Sequence, residues 1–221
     1  LKLRTVIKVI VLPVALALVL GAPGGTASAR ASDGQTATGA SSPRGETSYF
    51  STRAVLAEFF PKSERVTFRT FALDAPVRAR LAQRLGYTPA RDRYTIFVAT
   101  TQGKIDGYAV VDDEQGLHQP ITFATRLSPR GAVERVEIMV YREPRGDEVR
   151  DPRFRKQFEG KTAQDPLRLH QDIDAVSGAT VSSASLATGV RRAAVLVEEL
   201  ALGLSTVAAA PGTAPRATVS R

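Results

Sequence analysis

The residues best suited to chemistry in this chain sit close together near its carboxyl-terminal end, in Asp174-Ala175-Val176-Ser177-Gly178-Ala179-Thr180. An extended apolar piece, Asp172 to Val176, reads as a strand and passes through small residues into a helix that begins near Ser177 to Ser182. A helix start leaves backbone N–H groups without intrahelical partners, and the helix dipole adds positive potential, so phosphate is favoured there. Gly178 and Ala179 admit a bulky group close to the backbone. Thr180 then offers a hydroxyl at the place where phosphate is favoured. By residue type alone, Ser177 or Thr180 reads more simply as an ordinary cap accepting a backbone hydrogen bond. Ser182 and Ser183 carry the same pair of readings, helix cap or phosphate ligand.

Other candidates have plainer explanations. Glu143-Pro144-Arg145-Gly146 is a tight turn, with Pro144 presetting a backbone angle and Gly146 closing it. Tyr141, Phe154 and Phe158 suit a core better than a stacking platform. His118 and His170 lie far apart, with no second ligand at metal spacing, so both read as surface histidines and no metal site is expected. Asp112, Asp113 and Glu114 read as a solvated acidic loop at a hairpin end. No nucleophile, base and acid constellation supports hydrolysis, so no catalytic residue is assigned. The chain has no cysteine, which excludes disulfides, thiol chemistry and iron–sulfur clusters. A redox role would need a cofactor held by other residues.

Several elements must position these residues. Tyr49 to Phe60 reads as a helix stopped by Pro61, Val66 to Thr70 as a strand, and Asp74 as the cap of a helix ending at Gly86. Tyr94 to Thr100 pairs with Ile105 to Val111, and Ile121 to Leu127 with Val133 to Tyr141, across turns rich in Gly and Pro. A short helix spans Pro152 to Phe158. Leu186, Val190, Ala193, Val197 and Leu200 form one apolar stripe on a final helix. Hairpins with separate helices predict an α+β fold, an antiparallel sheet with flanking helices in a single domain over 49–202.

Outside that domain, Lys2, Arg4 and Lys8 precede the apolar run Val9 to Leu20, and Ala27-Ser28-Ala29 has the small-residue pattern of a cleavage site. Residues 1–29 are therefore expected to be a signal peptide, with an uncleaved membrane anchor as the alternative. Residues 30–48 and 203–221 are rich in Gly, Ser, Thr, Ala and Pro, and read as a flexible leader and a disordered tail. Net charge is +8, and cleavage removes three basic and no acidic residues, leaving +5. Acids and bases are interspersed, so no nucleic-acid partner is expected.

Asp174-x-x-Ser177-Gly178-Ala179-Thr180 resembles the flavinylation motif of the FMN-binding domain family, which includes subunits of sodium-translocating NADH:quinone reductase and Rnf complexes. The resemblance runs from Tyr94 to Leu200. It takes in Gly107 to Val111, Gln119 to Thr122, the Tyr141 to Gly146 turn and Phe154 to Lys161. It implies that a flavin transferase using FAD and Mg²⁺ links FMN through its phosphate to Thr180. Ser177, Gly178, Ala179, Ser182 and Ser183 would lie about the phosphate, Glu143 and Gly146 near the flavin, and Asp174 would complete the cofactor-binding motif. Asp174 would orient the loop or be recognised by the transferase. In the large complexes the turn continues with an apolar residue near the ring, whereas this chain has Arg145 and then Asp147.

The resemblance implies an electron carrier rather than a stand-alone enzyme, and the expected signal peptide makes it periplasmic or otherwise extracytoplasmic, with a membrane or periplasmic redox partner. Two alternatives stay open. One is a module that binds FMN reversibly, or assembles with a membrane partner, without redox cycling. The other is a flavin-dependent reductase of a small extracellular substrate.

Overall fold

The structure, a computed structural model, describes residues 46–203. The expected signal peptide and nearly all of the leader and tail lie outside that range. Six strands form one antiparallel sheet: β1 (Thr47–Ser48), β2 (Arg65–Ala72), β3 (Arg93–Thr101), β4 (Lys104–Gln115), β5 (Pro120–Leu127) and β6 (Val133–Tyr141). Their order is β1-β6-β5-β4-β3-β2, so β2 to β6 form a meander and β1 adds to the β6 edge. The helices are α1 (Thr52–Phe59), α2 (Ala75–Leu85), α3 (Pro152–Lys156) and α4 (Thr180–Leu196), which continues as a π-helical segment over Val197–Leu202. This is the expected α+β architecture. No described helix is long and apolar enough to cross a membrane.

Strand alternation splits the core between the two sheet faces. Ile96, Tyr108, Val110, Phe123 and Ile138 pack with Leu81 and Leu85 of α2 and with the α4 stripe of Leu186, Val190, Ala193, Val197 and Leu200. Their neighbours Ala99, Ala109, Ala124 and Met139 pack with Val55, Leu56 and Phe59 of α1 on the opposite face. A Cβ on Gly189 would overlap the Phe123 ring, so the missing side chain lets α4 lie close on β5.

Local hydrogen bonds account for the departures from expectation. Helix α1 begins at Thr52 rather than Tyr49, because the Ser51 side chain caps it by accepting from Ala54 N at 3.2 Å. The N–H groups of Tyr49 and Phe50 go instead to the Met139 carbonyl at 2.8 and 3.2 Å. Thr47 and Ser48, assigned by composition to the leader, pair with Tyr141 and Val140 of β6.

Residues 172–176 do not form a strand; they contribute only an isolated bridge between Leu169 and Ile173. Side chains replace the ladder there. The Asp172 carboxylate accepts from Leu167 N and Arg168 N at 3.1 and 2.9 Å, and the Gln157 amide both accepts from Asp174 N and donates to Asp174 O, at 2.7 and 3.2 Å.

The acidic run is not a solvated loop either. Asp112, Asp113 and Glu114 lie within β4, paired with Phe123, Thr122 and Ile121 of β5. The Asp112 side chain is 1% exposed and meets Arg192 Nε of α4 at 2.8 Å and Arg91 Nη1 at 2.7 Å. Arg192 also meets Glu114 at 2.5 Å and donates to the Asp113 carbonyl at 3.0 Å. Burial disfavours the Arg192 charge, but Asp112, Tyr87 and Glu114 outweigh it and raise its pKa, so the guanidinium stays charged.

Candidate functional site

Helix α4 starts without a conventional cap. Its N-cap is Ala179, which offers no side-chain acceptor, and its first turn holds no acid. The N-terminal amides and the positive end of a 17-residue helix therefore remain available to an exogenous anion. Thr180, the first helical residue, is exposed. Gly178 has φ +82°, and a Cβ built on it would meet nothing within 4 Å, so the approach to Thr180 is open. Neither Ser177 nor Thr180 caps the helix, which removes the plainer reading of the tetrapeptide.

The hydroxyls that follow are engaged in holding this start in place. Ser183 Oγ donates to Ala179 O at 2.8 Å and accepts from Val176 N at 3.2 Å. Ser182 Oγ shares a 2.8 Å hydrogen bond with Tyr141 Oη, which also donates to Arg145 O at 2.7 Å. Burial raises the Tyr141 pKa against the opposing Ser182 hydrogen bond, keeping the phenol protonated as a donor. Tyr141 is thus a buried clasp between α4 and the turn at 143–146. Gly146 closes that turn at φ +93°, where a Cβ would lie 2.6 Å from Tyr141 Oη and 2.8 Å from Ser182 Oγ.

Between these parts lies an open cleft of about 400 Å³, within the usual range for small-molecule sites. One wall is Gly178 to Ser182, a second is Glu143 to Gly146, and a third is Leu117 and His118. The turn and the threonine motif, far apart in sequence, therefore meet. Asp174 and Ser177 lie outside the cleft lining; both are exposed.

The Glu143 carboxylate is bonded to the β4–β5 loop. Its Oε1 accepts from His118 N at 2.5 Å and Gln119 N at 2.9 Å. Burial pushes its carboxyl pKa up, but the backbone N–H groups of Gln119, His118 and Leu117 outweigh that and leave it lowered. Glu143 acts on the site by fixing the loop that carries Leu117. That loop was missed by sequence reasoning, as was Val181 on the α4 wall. Leu117 is 63% exposed and Val181 45%, and the only signal for either was an apolar residue in a polar setting.

The Arg145 side chain makes no ion pair among the described residues, and it lines the same cleft. With the acid occupied internally, a cationic side chain and a helix N-terminus set the local potential, which suits an anionic ligand. The residues present thus fit a phosphate joined to a partly apolar group. Among the described residues, no cluster of three or more His, Asp or Glu is arranged for a metal ion.

Residues 116–195 match the FMN-binding domain family. Solved structures similar to this chain include two redox-complex subunits. NqrC from Shewanella oneidensis is 20% identical, with 62% of this chain and 80% of that chain covered and a TM-score of 0.43. A Na⁺-translocating NADH-quinone reductase subunit from Parabacteroides distasonis is 17% identical, with 65% and 84% covered and a TM-score of 0.39. No curated protein matches the chain.

Proposed function

With residues 116–195 matching the FMN-binding domain family, we propose that this chain is an exported electron carrier that holds FMN through a phosphoester on Thr180. The observation that carries the proposal is the uncapped start of α4, where an exposed threonine hydroxyl meets free helix amides inside a cleft. Attachment by a flavin transferase would use FAD and Mg²⁺. The Thr180 oxygen bonds to the flavin-side phosphorus, the pyrophosphate bond breaks, AMP leaves and the hydroxyl proton is released. FMN, once bound, supplies one- and two-electron redox chemistry.

The protein's part is to bind and orient. The α4 amides would hold the phosphate, Gly178 leaves room for it, and the Tyr141 clasp fixes the 143–146 turn to α4. Arg145 contributes positive potential. Asp174 presents an exposed carboxylate on the segment that leads to Thr180, with its backbone already satisfied by Gln157; this supports recognition by the transferase over a loop-orienting role. A covalent link suits an extracytoplasmic site, where a lost flavin is not readily replaced, and the partner is then a membrane or periplasmic redox protein.

Reversible FMN binding is the second reading, favoured by the openness of the cleft. Co-expression with a flavin transferase, followed by denaturation, separates the two. Flavin fluorescence that stays with the unfolded chain supports the phosphoester, and flavin that washes away supports reversible binding.

A further inference from the structure

Of the five large apolar side chains exposed among the described residues, two, Leu117 and Val181, line this one cleft. They come from two different elements of the cleft. Val181 follows Thr180 on α4, and Leu117 sits at the tip of the β4–β5 connection. The Leu117 loop is held firmly. Gly116 N donates to Gln119 O at 2.9 Å, Glu143 accepts from His118 N and Gln119 N, and Ser185 Oγ of α4 donates to Gln115 O at 2.6 Å. A Cβ on Gly116 would lie 2.7 Å from both Gln119 O and Glu143 Oε1, so the loop closes tightly over that carboxylate. A loop fixed at this many points does not fold Leu117 inward; it presents it. Meanwhile Asp147, one residue beyond the turn, is exposed and lies outside the cleft lining.

We propose that Leu117 and Val181 form the apolar seat against which the flavin ring would rest, with its phosphate on Thr180. The inference rests on the flavin reading above and adds to it the residues that touch the ring. Glu143 then serves as a positioning residue that holds Leu117 through the backbone of 117–119, and the 143–146 turn acts as a spacer. Two apolar side chains in the cleft would remove apolar ring surface from water.

The chain contains no tryptophan, so a single introduced indole reports contact with flavin by quenching its emission. The full chain, co-expressed with a flavin transferase, is prepared as the parent, Leu117→Trp, Val181→Trp and, away from the cleft on β2, Phe68→Trp. Intact mass first establishes the adduct in each. The proposal expects loss of most flavin emission in native Leu117→Trp and Val181→Trp, its recovery on denaturation, and parent-like emission in Phe68→Trp. A Leu117→Ser variant is expected to make the flavin more accessible to iodide. Adducts whose native emission and iodide access match the parent at both positions overturn the seat and leave the attachment standing. A parent without an adduct overturns the covalent reading and this inference together.

Discussion

The two ends of α4 are built for opposite purposes. From Ser185 onward the helix is tied down. Ser185 bonds the Gln115 carbonyl, Arg192 enters a buried network with Asp112 and Glu114, Arg191 bonds the Leu85 carbonyl, and Glu198 and Glu199 pair with Arg84 of α2. Its first turn has neither a side-chain cap nor an acid, and it exposes Thr180 and Val181. A free helix end is costly unless something satisfies its amides, and a bound phosphate does so. The anchored half keeps the unsatisfied half in place.

The contrast between the two ends is broken most severely at the anchor. Arg192→Ala strands Asp112 as a buried, partly compensated charge, and the expected loss is about 3–5 kcal/mol, measurable by urea unfolding. Next comes the joint between helix and turn. Gly146→Ala must adopt φ +93° and press on Tyr141 Oη, at an expected cost of about 1–3 kcal/mol in the same assay, with weaker flavin binding.

Acid gives a smaller effect. The folded pKa of Glu143 is lowered from its ordinary value of 4.5, so its contribution is complete above that value and is lost as pH falls through the lowered native one. Thermal melts between pH 6 and 3 are expected to show this loss in the parent and a weakened dependence in Glu143→Gln. The smallest effect sharpens the contrast by reversing sign. Thr180→Asp puts the missing acid into the exposed first turn, so the flavin-free protein should gain about 0.3–1 kcal/mol. FMN affinity should fall, because the new carboxylate competes for the same amides. Calorimetric titration with FMN checks it.

The anchored half was the more legible in sequence. The stripe from Leu186 to Leu200 repeats at helical spacing, and the strand pairs carry alternation and turn residues, so periodic signals placed both. The Asp74 cap and the Gly86 stop were equally readable, since Asp74 Oδ1 accepts from Val77 N at 2.9 Å and Gly86 has φ +81°. The failures were non-periodic. Asp112 to Glu114 looked solvated because their cation, Arg192, lies about 80 residues away. The segment 172–176 looked extended because its apolar residues gave no hint that Gln157 and Asp172 would take over its backbone.

At the site, the threonine motif was legible as a phosphate-compatible helix start, and the family resemblance singled out Glu143 and Gly146. Their roles were not legible: Glu143 holds a loop and Gly146 makes room for a clasp. Leu117 escaped notice because one apolar residue in a turn carries no pattern until the fold brings it into the same cleft as Val181.

Thr180 carries the central claim, and intact mass of the chain made with a flavin transferase tests it most directly. The account predicts a mass increase equal to one FMN phosphoester in the parent and none in Thr180→Ala. An adduct that persists in Thr180→Ala, or a parent that stays unmodified in the presence of an active transferase, would contradict it.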